Sequence, residues 1–174
     1  MLENTDTLLA LAEIGAAFAG FAALVSVIRR GSGQAAEAAH DLLRLRLVIG
    51  GSVAGVAAAL IPVGLAGYGL DSGLVWRLAA VIFLIFDNGI IVSFLGAYQP
   101  VRGTFPPDRL AVALVSVLEA VEQASLLVVV FGLGFGNQSA LYVTALIANI
   151  CQAGFIFARF VGSAFRHTLG NISD

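Results

Sequence analysis

Apolar residues dominate five stretches of the chain, and short polar breaks separate them. The stretches run roughly from Thr7 to Ile28, Leu43 to Gly69, Leu74 to Tyr98, Arg109 to Phe135 and Ser139 to Ser163. Each exceeds the ~20 mostly apolar residues that an α-helix needs to cross the hydrocarbon core of a bilayer. The pattern predicts an all-α integral membrane protein, a five-transmembrane-helix bundle formed by a single domain over residues 1–174.

The breaks fit this reading. Asp71-Ser72-Gly73 and Gly136-Asn137-Gln138 are tight turns built from residues that tolerate unusual backbone angles. Pro106-Pro107-Asp108 suits a helix start, because proline belongs in the first turn and an acid complements the helix dipole. The longest break, Gly31-Ser32-Gly33, runs into a segment from Gln34 to Asp41 rich in helix formers. That segment is expected to extend the second helix beyond the membrane. Pro62 lies deep in the second stretch and should kink it unless a neighbour satisfies the carbonyl it frees.

Composition strengthens the case. Charged residues make up 11% of the chain, against about 25% in a soluble domain whose surface must face water. No basic run points to nucleic acid. The single cysteine, Cys151, excludes a disulfide framework and reads as an apolar filler. The N-terminus lacks the positive segment of a signal peptide and is expected to be the mature start.

Arginine placement predicts orientation. Arg29, Arg30, Arg44, Arg46, Arg102, Arg109, Arg159 and Arg166 fall on one side of a five-span arrangement, and Arg77 alone falls on the other. Cytoplasmic loops carry the excess of basic residues, so the N-terminus is expected outside and the C-terminus inside, in a cell (plasma or inner) membrane. Tyr68, Trp76 and Tyr142 then fall at the outer interface and Tyr98 at the inner one, where amphipathic rings anchor. Arg77 and Arg159 are expected to snorkel to the headgroups. His40 and His167 fall in the cytoplasmic extension and tail, with no metal spacing between them.

Small residues form ridges. The first helix carries Gly15, Ala19 and Ala23, and the second Gly51, Gly55 and Ala59, at four-residue spacing. Such ridges let helices approach closely in lipid. Packing inside one subunit is the plainer reading, but the ridges also offer surfaces for a homo-oligomer.

Four of the eleven acids fall inside the predicted spans: Glu13, Asp87, Glu119 and Glu122. Each costs about 2.5–3.5 kcal/mol at a helix centre on the insertion scale. At 1.5 Å rise per residue, Asp87 and Glu119 both fall near the bilayer middle, and Glu13 is shallower, roughly 9 Å from its helix start. Other polar residues accompany them: Asn88 beside Asp87, Ser116 and Gln123 on the face of Glu119 and Glu122, and Asn149 and Gln152 on the fifth helix. No arginine is expected at that depth. The acids are therefore protonated, bound to a cation, or facing water. Glu119 and Glu122 are one turn apart and should share a proton or a cation rather than both ionise.

Catalytic signatures are missing. There is no phosphate-cradling loop, no HExxH, no serine–histidine or cysteine–histidine pairing at a common depth, and no motif for a cofactor. The sequence points away from an enzyme. It predicts a homo-oligomer that moves protons or cations through a site of Glu119, Glu122, Asp87 and Glu13, supported by Asn88, Gln123, Asn149, Gln152 and Ser116. The alternative is a non-transporting accessory subunit of a larger membrane complex, in which the same acids hydrogen-bond amides and hold helices together.

Overall fold

A computed structural model describes the backbone of residues 2–28, 35–103, 108–133 and 136–170, and side chains within these except at 28, 35–41, 101 and 163–170. It contains α1 (Thr5–Ile28), α2 (Ala35–Ala66), α3 (Ser72–Tyr98), a 3-10 turn (Gln99–Val101), α4 (Arg109–Val130) and α5 (Gln138–Gly170). All five α-helices are long and apolar enough to cross a membrane. Many large apolar side chains face outward, among them Phe21, Ile85, Val92, Leu110 and Val117. In water such a surface would aggregate; in a bilayer it is solvated by lipid tails.

Local chemistry sets the helix ends. Asp71 caps α3 by accepting from the Gly73 amide at 3.0 Å, and Asp108 caps α4 by accepting from the Leu110 amide at 3.0 Å. Each carboxylate satisfies an amide that the first helical turn leaves without a partner. The α4 helix stops at Val130, short of the Phe135 expected from hydropathy. Gly132 adopts φ +69 and donates to the Val129 carbonyl, while Leu133 donates to the Val128 carbonyl. This is a Schellman cap, and it ends the helix whatever the hydropathy of the residues beyond it.

Contacts at the helix ends show the antiparallel order. Ser139 at the start of α5 donates to Glu3 at 2.8 Å, so α1 and α5 begin at the same end of the bundle, here termed the N-terminal end. At the opposite end Arg159 pairs with Asp108 at 2.7 Å, and Arg46 donates to Ser93 at 3.2 Å. The α5 helix packs on all four others, and α2 packs on α1, α3 and α5.

Two of the ridge glycines, Gly15 and Gly55, pack within the subunit, whereas Gly51 faces open space. A methyl carbon on Gly15 would stand 3.2 Å from the Ser52 carbonyl of α2, and one on Gly55 would stand 2.8 Å from Asn149 Oδ1 of α5. Gly20, by contrast, faces open space.

The core is layered. Toward the N-terminal end it is apolar: Leu8, Ala58, Ala59, Trp76, Phe83, Leu126, Val129, Tyr142 and Leu146 pack together. Trp76 and Tyr142 are buried at 4% and 0% exposure, so their rings pack in the core and do not face lipid. The Tyr142 ring sits 5.4 Å from Trp76 and 6.2 Å from Phe83, and its hydroxyl donates to the Ala58 carbonyl at 2.7 Å. That carbonyl lies four residues before Pro62, which has no N–H to offer it. The α2 helix accordingly runs through Pro62 without a break. Tyr68 is exposed, as an interfacial ring would be, and Tyr98 stacks on Phe94 at 5.7 Å.

Two arginines have specific contacts where snorkelling was expected. Arg159 pairs with Asp108 and lies over the Phe155 ring at 5.8 Å. The Arg77 guanidinium lies directly over Gly132, at the C-terminal end of α4, where a positive charge complements the helix dipole. Arg29, Arg30 and the side chains of His40, Arg166 and His167 lie outside the described residues.

Candidate functional site

One helical turn below the apolar layer the core becomes polar. Asp87 on α3 and Glu119 and Glu122 on α4 converge so that one carboxylate oxygen from each lies within 4.8 Å of the others. Asp87 and Glu122 are buried, and Glu119 is half-buried. By helical rise Asp87 stands roughly 22 Å from the start of α3 and roughly 16 Å from its end, near mid-span.

Periodicity explains the convergence. Glu122, Leu126 and Val129 recur at three- and four-residue spacing and form the buried face of α4. Glu119 and Gln123 flank that face on the side of α3. On α3 the buried face runs through Trp76, Ala80, Phe83 and Asp87, so Asp87 continues an otherwise apolar stripe. On α5 the stripe of Tyr142, Ala145, Asn149 and Gln152 becomes polar at the same level.

Two glutamines tie the acids together. Gln123 Nε2 donates to Asp87 Oδ2 and to Glu119 Oε1, both at 2.8 Å. Gln152 Nε2 donates to Glu119 Oε2 at 3.3 Å and to Glu122 Oε2 at 3.1 Å. An amide nitrogen has two hydrogens, so both donors of each glutamine are used on the acids. Asn88 Nδ2 donates to Gln123 Oε1 at 3.3 Å and to the Leu84 carbonyl at 2.8 Å, fixing which end of the Gln123 amide faces the acids. Asn149 lies beside Glu122. Glu122 Oε1 and Asn149 Oδ1 nonetheless have no hydrogen-bond partner in the protein, and neither does Ser52 Oγ on α2.

The electrostatics follow from this inventory. Amides of Gln123 and Gln152 tie the group together, Asp87 and Glu119 also meet directly as a carboxyl pair, and among the described residues no arginine bears on Asp87 or Glu122. Three ionised carboxylates at this spacing in a low-dielectric interior would repel strongly. The group holds together when protons or a cation offset that charge.

The structure therefore gathers Asp87, Glu119, Glu122, Asn88, Gln123, Asn149 and Gln152. It does not gather Glu13 or Ser116. Glu13 is exposed on the outer face of α1, because its neighbours Ala12 and Gly15 take the inward positions. Ser116 is exposed one turn below Glu119. Cys151 is also exposed, so it does not fill the core. Sequence reasoning overlooked Ser52, which is fully buried. The signal was present: it is the sole hydroxyl residue within the α2 span, and it shares a face with the Gly55 and Ala59 ridge. Comparison with family models, curated proteins and solved structures finds no match to this chain.

Proposed function

We propose that this protein is a small homo-oligomeric membrane protein that moves protons or cations through the Asp87–Glu119–Glu122 site, as a channel or a small transporter. The observation that carries the reading is the meeting of three carboxylates within 4.8 Å at mid-span, tied together by the amides of Gln123 and Gln152. Ionisable residues are expensive inside a membrane and by default mark a proton relay or ion pathway. The aromatic group of Trp76, Phe83 and Tyr142 closes the bundle on the N-terminal side of the site. Access then comes from the arginine-rich end, which the positive-inside rule assigns to the cytoplasm. The reading is non-enzymatic and needs no cofactor.

One observation favours the second reading, an accessory subunit that only scaffolds. Gln123 and Gln152 each bridge acids and so join α3, α4 and α5, as structural polar groups do in membranes. A flux assay separates the two. Purified protein in liposomes should dissipate a proton or monovalent-cation gradient faster than protein-free vesicles. An accessory subunit would leave the gradient intact.

A further inference from the structure

The orphan oxygens at the edge of the acidic group come from three helices. Ser52 on α2 is 0% exposed, Glu122 on α4 is 0% exposed and Asn149 on α5 is 5% exposed, yet Ser52 Oγ, Glu122 Oε1 and Asn149 Oδ1 lack any partner in the protein. A buried polar atom left without a partner is costly, and native structures rarely tolerate one. Three at one level of one bundle call for a common occupant. Asn149 connects them: it lies beside Glu122 on one side, and its Oδ1 stands over Gly55 on the other. Ser52 is one helical turn from Gly55 on the buried face of α2.

The geometry points to a dehydrated binding site for a small monovalent cation, of which sodium is the type, held by Ser52 Oγ, Glu122 Oε1 and Asn149 Oδ1. This deepens the reading of the carboxylate group as a cation site and rests on it. A proton on Glu122 makes one hydrogen bond and would leave at least one of the three oxygens orphaned. A cation takes several oxygens at once, and hard oxygen ligands suit an alkali ion. Among these three ligands, one carboxylate oxygen and two neutral oxygens match a single positive charge. The remaining acids, Asp87 and Glu119, have oxygens bonded by glutamines, and half-buried Glu119 marks the side where an ion would arrive or leave.

Gly55 makes the site possible. Any side chain there would place a carbon 2.8 Å from Asn149 Oδ1, closer than real contacts allow, and would push the amide away. Ser52 supplies a ligand without any bond to the protein, so its hydroxyl matters only when the site is filled.

Thermal unfolding of the purified protein in detergent, titrated with sodium chloride against choline chloride at constant ionic strength, tests this. Sodium should raise the Tm in a saturable way, since a ligand bound only to the native state stabilises it by mass action. Ser52→Ala should weaken that sodium dependence about tenfold or more, the effect of losing one good ligand contact. In choline alone Ser52→Ala should be at least as stable as wild type, because it removes a buried orphan hydroxyl. Gly55→Ala should also blunt the sodium response, and Ser52→Thr should keep it. Absence of any sodium-specific shift in wild type overturns the site and leaves a bound water or a proton as the occupant. A Ser52→Ala and Gly55→Ala pair with wild-type sodium response overturns it equally. Sodium stabilisation without flux in liposomes would remove the transport reading and leave this site standing; flux without sodium stabilisation would do the reverse.

Discussion

The Tyr142 hydroxyl donates at 2.7 Å to the Ala58 carbonyl, the one that Pro62 leaves without a donor on α2. The contact joins the two central helices of the bundle and sits in a layer with Trp76 and Phe83. Tyr142→Phe keeps the ring and removes only the donor. We expect a loss of about 1–3 kcal/mol, the cost of a buried carbonyl without a partner. Pro62→Ala restores an amide to Ala58, so Tyr142→Phe should cost less in that background. Thermal unfolding of the four proteins in a double-mutant cycle measures this coupling, and strict additivity would contradict it.

Gly15 and Gly20 separate packing from mere composition. Both look alike as small residues on the first helix. A methyl on Gly15 would meet Val56 Cγ2 at 3.1 Å and the Ser52 carbonyl at 3.2 Å, whereas Gly20 faces open space. Gly15→Ala should destabilise the fold by about 1–3 kcal/mol through overpacking. Gly20→Ala should be neutral or slightly stabilising, because alanine is the better helix former. Equal effects of the two changes on unfolding would count against the α1–α2 packing.

The Asp108–Arg159 pair predicts a pH dependence. The Arg159 guanidinium, followed by the Leu110 amide, holds the Asp108 carboxyl below the ordinary carboxylate range. A depressed folded-state value means that the pair stabilises the fold at pH above the unfolded value of about 3.9. The contribution is lost as pH falls through the lower folded value. Asp108→Asn retains a good helix cap but cannot ionise. Its Tm should lie below wild type at neutral pH, and the gap should close as the solution is acidified toward pH 3. Both ends of the pair are substantially exposed, so the effect should be small and weaken with salt.

Much of this architecture was readable from the chain itself. Hydropathy gave five spans, and short turns gave antiparallel neighbours. The Asp108 helix start was visible in its local sequence. What hydropathy does not carry is azimuth across helices. Glu13 looks like Asp87 in a hydropathy profile, yet one points outward from α1 and the other continues the buried stripe of α3. Tyr142 looks like an interfacial anchor because it lies near a helix start. Its ring is buried in the core, where the hydroxyl meets a carbonyl that Pro62, on another helix, leaves without a donor. Ser52 went unread for the same reason: its significance lies in the partners it lacks, and that is a property of three helices together.

Gln123 offers a test of how the acids are held. It donates to both Asp87 and Glu119. Gln123→Leu leaves two carboxylates short of a donor and should cost about 1–3 kcal/mol in stability. Double change of Gln123→Leu with Asp87→Asn should recover part of that loss, because the new amide can donate to Glu119 where the carboxylate could not. Unfolding midpoints in detergent report this, and no recovery would mean that the glutamine does not serve the acids.

Flux through liposomes made with wild type, Glu119→Gln, Glu122→Gln and the double variant tests the central claim most directly. Each substitution keeps shape and hydrogen bonding but removes titration and charge. The carboxylate account predicts that wild type carries protons or a monovalent cation, and that each single variant folds and assembles yet loses most of that flux or shifts its pH dependence. It also predicts a double variant no worse than the worse single one, because the acids act as one coupled group. Wild-type vesicles that hold their gradients for every common cation, with all four proteins equally stable and equally assembled, would contradict it and leave Asp87, Glu119 and Glu122 as structural glue.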